Sequence, residues 1–534
     1  MRWIRLSLIL AAIAAVYFFR LGQPVLWADE ADTGILARNV LRFGYPTAFD
    51  GRNLSLADDG AQLNRTLLSK KIPWVQYYVG ALSLAVFGDD TAGLRALFAL
   101  CGLLAFFPLE AVLRGRVRCP DVSAALALLA PQIVLLQRSA RYYPLLILLY
   151  ALLVWHLYAN FKSGRRRWAA AAVIFVLFFH THPVAALCSA VALILFCLCG
   201  RREAVPGYLA ASGAGFLSWL IWYELLGPPL VATPLTLAFL TSNFALWWKG
   251  FSLGVAATAV DLDAVGCLPL LLWAGAVGLL CWRNRPALRG LGREPLVGFV
   301  LLNLLVQGVA TGAVFGPETA AYFAILRYLP HLLVFAILAG FFVLNSAVRS
   351  TGAYLALCLV AVATNFLTLA HWAEPMGRKT PASWLAPVYA EIFHPPPSAW
   401  EGAIARLRSE ASDRPGRDRV IVVWPPWTKE TMIFYLGDLA YIRQSSLSAA
   451  PTEANRIIAT AIGPEASRRL SGQPDWLVDL VGIFQSVPAG YVPDGAFPSY
   501  QANPDNGSRP ELTRHSFAQA APVGGIRLFR LRSD

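Results

Sequence analysis

The chain has 534 residues, 57% of them hydrophobic and 14% charged, which excludes an ordinary soluble protein, where about a quarter of residues carry charge. Its formal net charge of +13 is spread over short Arg and Lys clusters between apolar runs rather than gathered in one basic domain, which argues against nucleic acid as a partner and makes the clusters topology signals. The eight cysteines, Cys101, Cys119, Cys188, Cys197, Cys199, Cys267, Cys281 and Cys358, lie in or beside apolar segments and imply no disulfide framework.

A spanning helix needs about 20 mainly apolar residues. In chain order that length predicts spans near Ile4–Phe19, Thr91–Leu113, Val122–Leu136, Tyr142–Asn160, Trp168–Phe179, Val184–Cys199, Val205–Leu226, Leu262–Trp282, Pro295–Phe315, Tyr322–Leu344 and Gly352–Trp372, about eleven in all. The first has the look of a signal peptide, but so many apolar segments follow that an uncleaved helix is expected. Ile72–Gly88 is apolar but short, opens before a Pro and ends at GDD, and is expected to lie along the interface or re-enter.

Charge tests that placement. With Ile72–Gly88 left out of the spans, Arg2 and Arg5, Arg114 to Arg118, Lys162 to Arg167, Arg201 and Arg202, Arg283 to Arg293 and Arg349 all fall on one side, which the positive-inside rule makes cytoplasmic. The expected fold class is therefore a polytopic α-helical membrane protein with its N-terminus inside. A transmembrane module covers residues 1–373, with a long first exoplasmic loop at 21–90. A Pro-rich linker at 374–400 leads to a small soluble exoplasmic α/β domain at 401–534, in which VIVVW, DWLVDLVGIF and IRLFRL read as strands.

The polar residues that could carry chemistry fall on the outer face of this topology. WADEAD puts Asp29 and Glu30 just after the first span, where a carboxylate can act as general base on an acceptor hydroxyl, or simply face the positive end of a helix. RSARYYP brings Arg138, Arg141 and Tyr142 to an outer helix end, against the charge bias, and guanidinium groups there suit a lipid phosphate. HTHP offers His180 and His182 as hydrogen-bond donors to a phosphate or as a candidate pair for a divalent metal, with interfacial histidines as the plain alternative. RYLP sets Arg327 and Tyr328 inside a late span, where an Arg is costly unless it has a function. No P-loop, dinucleotide fingerprint or nucleophile elbow is present, so soluble-nucleotide chemistry has no support.

Taken together, WADEAD, the FG at Phe87 and Gly88 before a helix bearing Arg95, RSARYYP, THP and RYLP resemble the GT-C membrane glycosyltransferases, the group of the protein O-mannosyltransferases and the lipid A aminoarabinose transferase, and in particular their bacterial members. The resemblance implies inverting transfer of a sugar from a polyprenyl-phosphate donor to a lipid, polysaccharide or protein acceptor at the outer face of the bacterial inner membrane. Under it Asp29 matches the catalytic acid, Glu30 its neighbour, and Arg327 a phosphate-binding Arg, with Arg138, Arg141, Tyr142 and Tyr328 beside the lipid phosphate. The chain departs from the pattern in two places: KKIPW stands where relatives often carry an HPPLGK-like or KPP stretch, and Arg and Ser replace a second acid after the third span. A lipid or sugar-lipid transporter, and a polymer ligase using a lipid-linked oligosaccharide, are the competing readings.

Overall fold

The computed structural model describes residues 2–55, 63–69, 73–163, 167–225, 296–307, 330–363, 385–412, 419–425, 428–444, 458, 460–471, 473–480, 482, 484–501, 515 and 517–532. The amino-terminal half is a helical array: α1 (Arg2–Phe18), α2 (Ala28–Phe43), α3 (Val75–Phe87), α4 (Thr91–Leu104), α5 (Phe106–Leu113), α6 (Pro120–Leu128), α7 (Pro131–Gln137), α8 (Tyr143–Ser163), α9 (Trp168–Phe179), α10 (Pro183–Gly200) and α11 (Val205–Leu225). Apolar helices follow at Leu296–Gln307, Pro330–Ala347 and Thr351–Ala363.

Among the described residues five helices are long and apolar enough to cross a membrane: Thr91–Leu113, Tyr143–Phe161, Pro183–Gly200, Arg202–Glu224 and Pro330–Ala347. Together they make this a polytopic helical membrane protein. The expected single span at Val122–Leu136 is instead two helices meeting at 71°. Pro131 explains the break: Ala130 before it is extended (φ −59°, ψ 136°), and the ring removes an amide donor just where α7 begins. The helix α3, at 13 residues, is too short to span. The expected span at Leu262–Trp282 lies outside the described residues.

One end of the array holds Arg2, Arg5, Arg114, Arg118 and Arg201, described members of the set that charge counting put on one side; Arg165, Arg166 and Arg283 to Arg293 lie outside the described residues. Arg5 pairs with Asp121 at 2.6 Å, Arg2 and Arg114 both reach Glu110, and the amide of Arg118 donates to Asn345 at the far end of the Pro330 helix. The guanidinium of Arg201 lies over Phe161 near the end of α8 at this same end of the bundle.

The opposite end carries the first loop and the carboxy-terminal region. There, after helices Leu385–Phe393 and Ala399–Ser412, a five-stranded sheet runs in the order β2-β1-β3-β5-β4, from β1 (Val420–Trp424), β2 (Tyr441–Gln444), β3 (Trp476–Asp479), β4 (Tyr491–Ser499) and β5 (Gly524–Leu531). The strand β1 pairs in parallel with β2 and β3, and β5 pairs antiparallel with β3 and β4. Between β1 and β2 the chain forms the helix Lys429–Leu436, whose seat is α2 of the first loop.

That seat is a shared core. Ile35, Leu36 and Val40 of α2, Tyr77 and Leu84 of α3, and Leu94 and Phe98 of α4 are buried in one cluster with Trp400, Ile433, Phe434 and the sheet residues Val423 and Val478. Gly34 makes the approach feasible, since a Cβ there would lie 2.4 Å from the Phe434 ring. Arg38 stacks its guanidinium 3.8 Å from the centre of the same ring and pairs with Asp89 at 2.7 Å. Asn53 of the first loop completes the seam: its amide donates to the carbonyls of Gly437 and Ala440 at 3.0 Å each, and its oxygen accepts from Ile442 at 2.6 Å.

Candidate active site

The helix α2 begins with no side-chain cap, and its first turn carries acids that the helix dipole favours. Asp29 and Glu30 there, and Asp32 just after them, meet three different surroundings. Glu30 is buried, 1% exposed, and its oxygens accept from Arg95 Nε at 2.9 Å and Arg95 Nη2 at 2.6 Å, with the amide of Ala140 adding a bond of 2.7 Å. The same guanidinium holds the carbonyls of Leu21 and Pro24 through Nη1 at 3.0 and 2.8 Å. Through these bonds Glu30 and Arg95 tie the start of the first loop to α4 and to the link between α7 and α8.

Asp29 is the acid that faces outward. Its side chain is 34% exposed, and Oδ2 lies 3.5 Å from Nη2 of the buried Arg141. Arg141 is fixed through Nη1, which donates to the Asp29 carbonyl at 3.0 Å and to Thr33 Oγ1 at 3.2 Å. Asp32, one turn on, accepts from Ser55 at 2.7 Å; burial pushes its carboxyl above the usual range, and the Ser55 bond offsets part of the rise.

The two arginines of RSARYYP have different tasks. Arg138 donates to the carbonyls of Val16, Tyr17 and Phe19 at 2.6, 3.0 and 3.0 Å, and to Arg20 at 3.3 Å, so it satisfies the open carbonyls at the end of α1. Tyr142 is buried, its ring 5.0 Å from the His182 ring and 4.7 Å from that of Tyr143, which joins RSARYYP to HTHP.

The two histidines face different neighbours. His182 caps α10, its Nδ1 accepting from the amide of Ala185 at 3.1 Å, and burial pushes it down to about 4, so it is neutral at pH 7. His180 meets Ser218 through Nε2 at 3.2 Å and packs against Trp74, whose neighbour Val75 donates to the His180 carbonyl at 3.2 Å. Among the described residues no group of three or more His, Cys, Asp or Glu is arranged to hold a metal. Arg327 and Tyr328 lie outside the described residues; His331, four positions on, is buried and bonds Gln307 at 3.1 Å.

Sequence reading missed the contribution of the carboxy-terminal region. Thr431 on the helix Lys429–Leu436 donates to the Leu26 carbonyl at 3.2 Å, and Tyr435 bonds both the Leu26 amide and Thr91. These bonds set the first turn of that helix, with buried Lys429 and Glu430, against the first turn of α2. The TKET segment directly after VIVVWPPW was the available signal, but four polar residues opening a helix are an ordinary pattern.

No protein-family model and no curated protein matches the chain. Among solved structures it is similar to ArnT from Cupriavidus metallidurans bound to undecaprenyl phosphate, at 14% identity and a TM-score of 0.47, covering 90% of this chain and 94% of that one. The apo state of the same ArnT gives 13% identity and a TM-score of 0.43 over the same shares. The archaeal oligosaccharyltransferase AglB from Archaeoglobus fulgidus, in complex with an inhibitory peptide and a dolichol-phosphate, gives 12% identity and a TM-score of 0.39, covering 90% of this chain and 69% of that one. Both proteins are GT-C glycosyltransferases, the group that the sequence motifs resemble.

Proposed function

We propose that the chain is a membrane glycosyltransferase that moves a sugar from a polyprenyl-phosphate donor to an acceptor hydroxyl, with inversion. The observation that carries the reading is the arrangement of Asp29. It is the first-turn acid with an exposed face, and it is held from behind by buried Arg141 while Glu30 is locked to Arg95.

In this reading Asp29 is the general base. An acceptor oxygen attacks the anomeric carbon from the face opposite the phosphate, Asp29 takes its proton, and the bond from that carbon to the phosphate oxygen breaks with its electron pair leaving on polyprenyl phosphate. The leaving phosphate needs fixed positive charge, and a preorganised partner of this kind commonly contributes about 3 kcal/mol. Arg327 is assigned that task, with Arg141 behind Asp29. Glu30 and Arg138 are assigned to holding the loop and the end of α1.

The first-loop face is taken as exoplasmic and the arginine-rich end as cytoplasmic, following the positive-inside rule. The protein is assigned to the bacterial inner membrane, with the carboxy-terminal region outside and a lipid, polysaccharide or protein as acceptor. The test is transfer of labelled sugar from synthetic polyprenyl-phosphate donors by the purified protein. Release of polyprenyl phosphate that requires Asp29 is expected, and donor use indifferent to Asp29 would remove the assignment.

A further inference from the structure

Glu430 is 4% exposed, and its Oε1 has no hydrogen-bond partner among the described residues. A buried carboxylate oxygen left without a donor is costly and needs a reason. Its position supplies one: the bonds from Thr431 and Tyr435 hold its helix to Leu26, two residues before α2 begins, and Lys429 and Glu430 lie within electrostatic reach of Asp32 on α2. We propose that Glu430, delivered by the carboxy-terminal region, is a positioning residue for the transfer, its negative charge strengthening Asp29 as a base. The inference rests on the glycosyltransferase reading.

The charges that face Glu430 can be named. From its own helix Lys429 offsets it; from α2 Asp32 and Asp29 oppose its ionisation; behind these Arg141 neutralises the α2 acids. From the Ala399–Ser412 helix Arg408 is directed to the Tyr435 carbonyl instead. Burial pushes the Glu430 carboxyl up to about 7, so it gains its charge across neutral pH. Below that pH Asp29 loses a like-charged neighbour and becomes the weaker base.

Two measurements on wild type and Glu430→Gln, across pH about 4 to 9, decide the matter. The first is the transfer rate: wild type is expected to lose activity on the acid side with a midpoint near 7, while Glu430→Gln is slower by about threefold to tenfold at high pH and lacks that limb. The second is the melting temperature without substrate. A carboxyl raised in the folded state costs stability as pH rises from its unfolded value through its folded one, so wild type should melt lower at pH 8 than Glu430→Gln, with the difference gone at pH about 4.5 or below. An acid limb retained in Glu430→Gln, or a wild-type rate in that variant, overturns the proposal. Absence of transfer by wild type refutes the glycosyltransferase reading and the positioning role with it. The melting curves then still report whether Glu430 titrates where it sits, which separates the two failures.

Discussion

Arg95 and Glu30 form a bidentate ion pair, 2.9 and 2.6 Å long, sealed between α4 and the first turn of α2 at 3% and 1% exposure. Removing one partner of such a pair leaves an uncompensated buried charge, at a cost of about 3 to 5 kcal/mol. Arg95→Met and Glu30→Met are each expected to lower the melting temperature of the detergent-solubilised protein sharply, while the double variant regains much of the loss. A double variant as unstable as the sum of the singles would show that the pair is not acting as a unit.

Asp29 contrasts with its neighbour. Because its carboxylate is partly exposed and its contact to Arg141 is long, Asp29→Asn, which keeps the side chain's shape while removing the countercharge to buried Arg141, is expected to cost less stability than Glu30→Met. Loss of a general base should reduce transfer by about a hundredfold to ten-thousandfold. The melting temperature and the turnover number of one preparation check both halves.

The seam between α2 and the Lys429 helix has almost no spare room at Gly34. Gly34→Ala drives a methyl group into the Phe434 ring, and overpacking of this kind costs about 1 to 3 kcal/mol. The variant should expose the carboxy-terminal region to limited proteolysis, and Gly34→Ala combined with Phe434→Ala should restore part of the protection. Equal protection in the single variant would contradict the close packing.

His182 gives a pH dependence of opposite sign to that of Glu430. Its folded value is depressed to about 4, so it contributes stability above the unfolded value near 6.5 and loses it as pH falls toward 4. His182→Asn can still cap α10 and does not titrate, so its melting temperature should fall less than that of wild type between pH about 6.5 and 4. Parallel curves would show that another group governs acid sensitivity.

Much of the architecture was legible because hydropathy acts over the length of one helix. The spans at Thr91–Leu113, Tyr142–Asn160 and Val184–Cys199 needed only local counting. The break at Pro131 was visible as a residue type, but a proline in a span can also be absorbed as a kink, and the angle is set by packing. In the site, Asp29 and Arg141 stood out as charges at a membrane surface. Their different surroundings did not: Glu30 and Asp29 are adjacent in sequence, and Glu30 is tied down by Arg95, 65 positions away. The purpose of Arg138 likewise depended on carbonyls of α1 more than a hundred residues earlier. Glu430 was beyond reach, since its neighbours on α2 lie some four hundred residues away and no local pattern records that contact.

The most direct test of the central claim is release of polyprenyl phosphate from a synthetic polyprenyl-phosphate sugar by wild type and Asp29→Asn side by side, scanning hexose, pentose and aminosugar donors. The account predicts that wild type consumes at least one donor and that Asp29→Asn, equally well folded, does not. Equal consumption by both, or no consumption while labelled lipid crosses the bilayer of reconstituted liposomes, would contradict it.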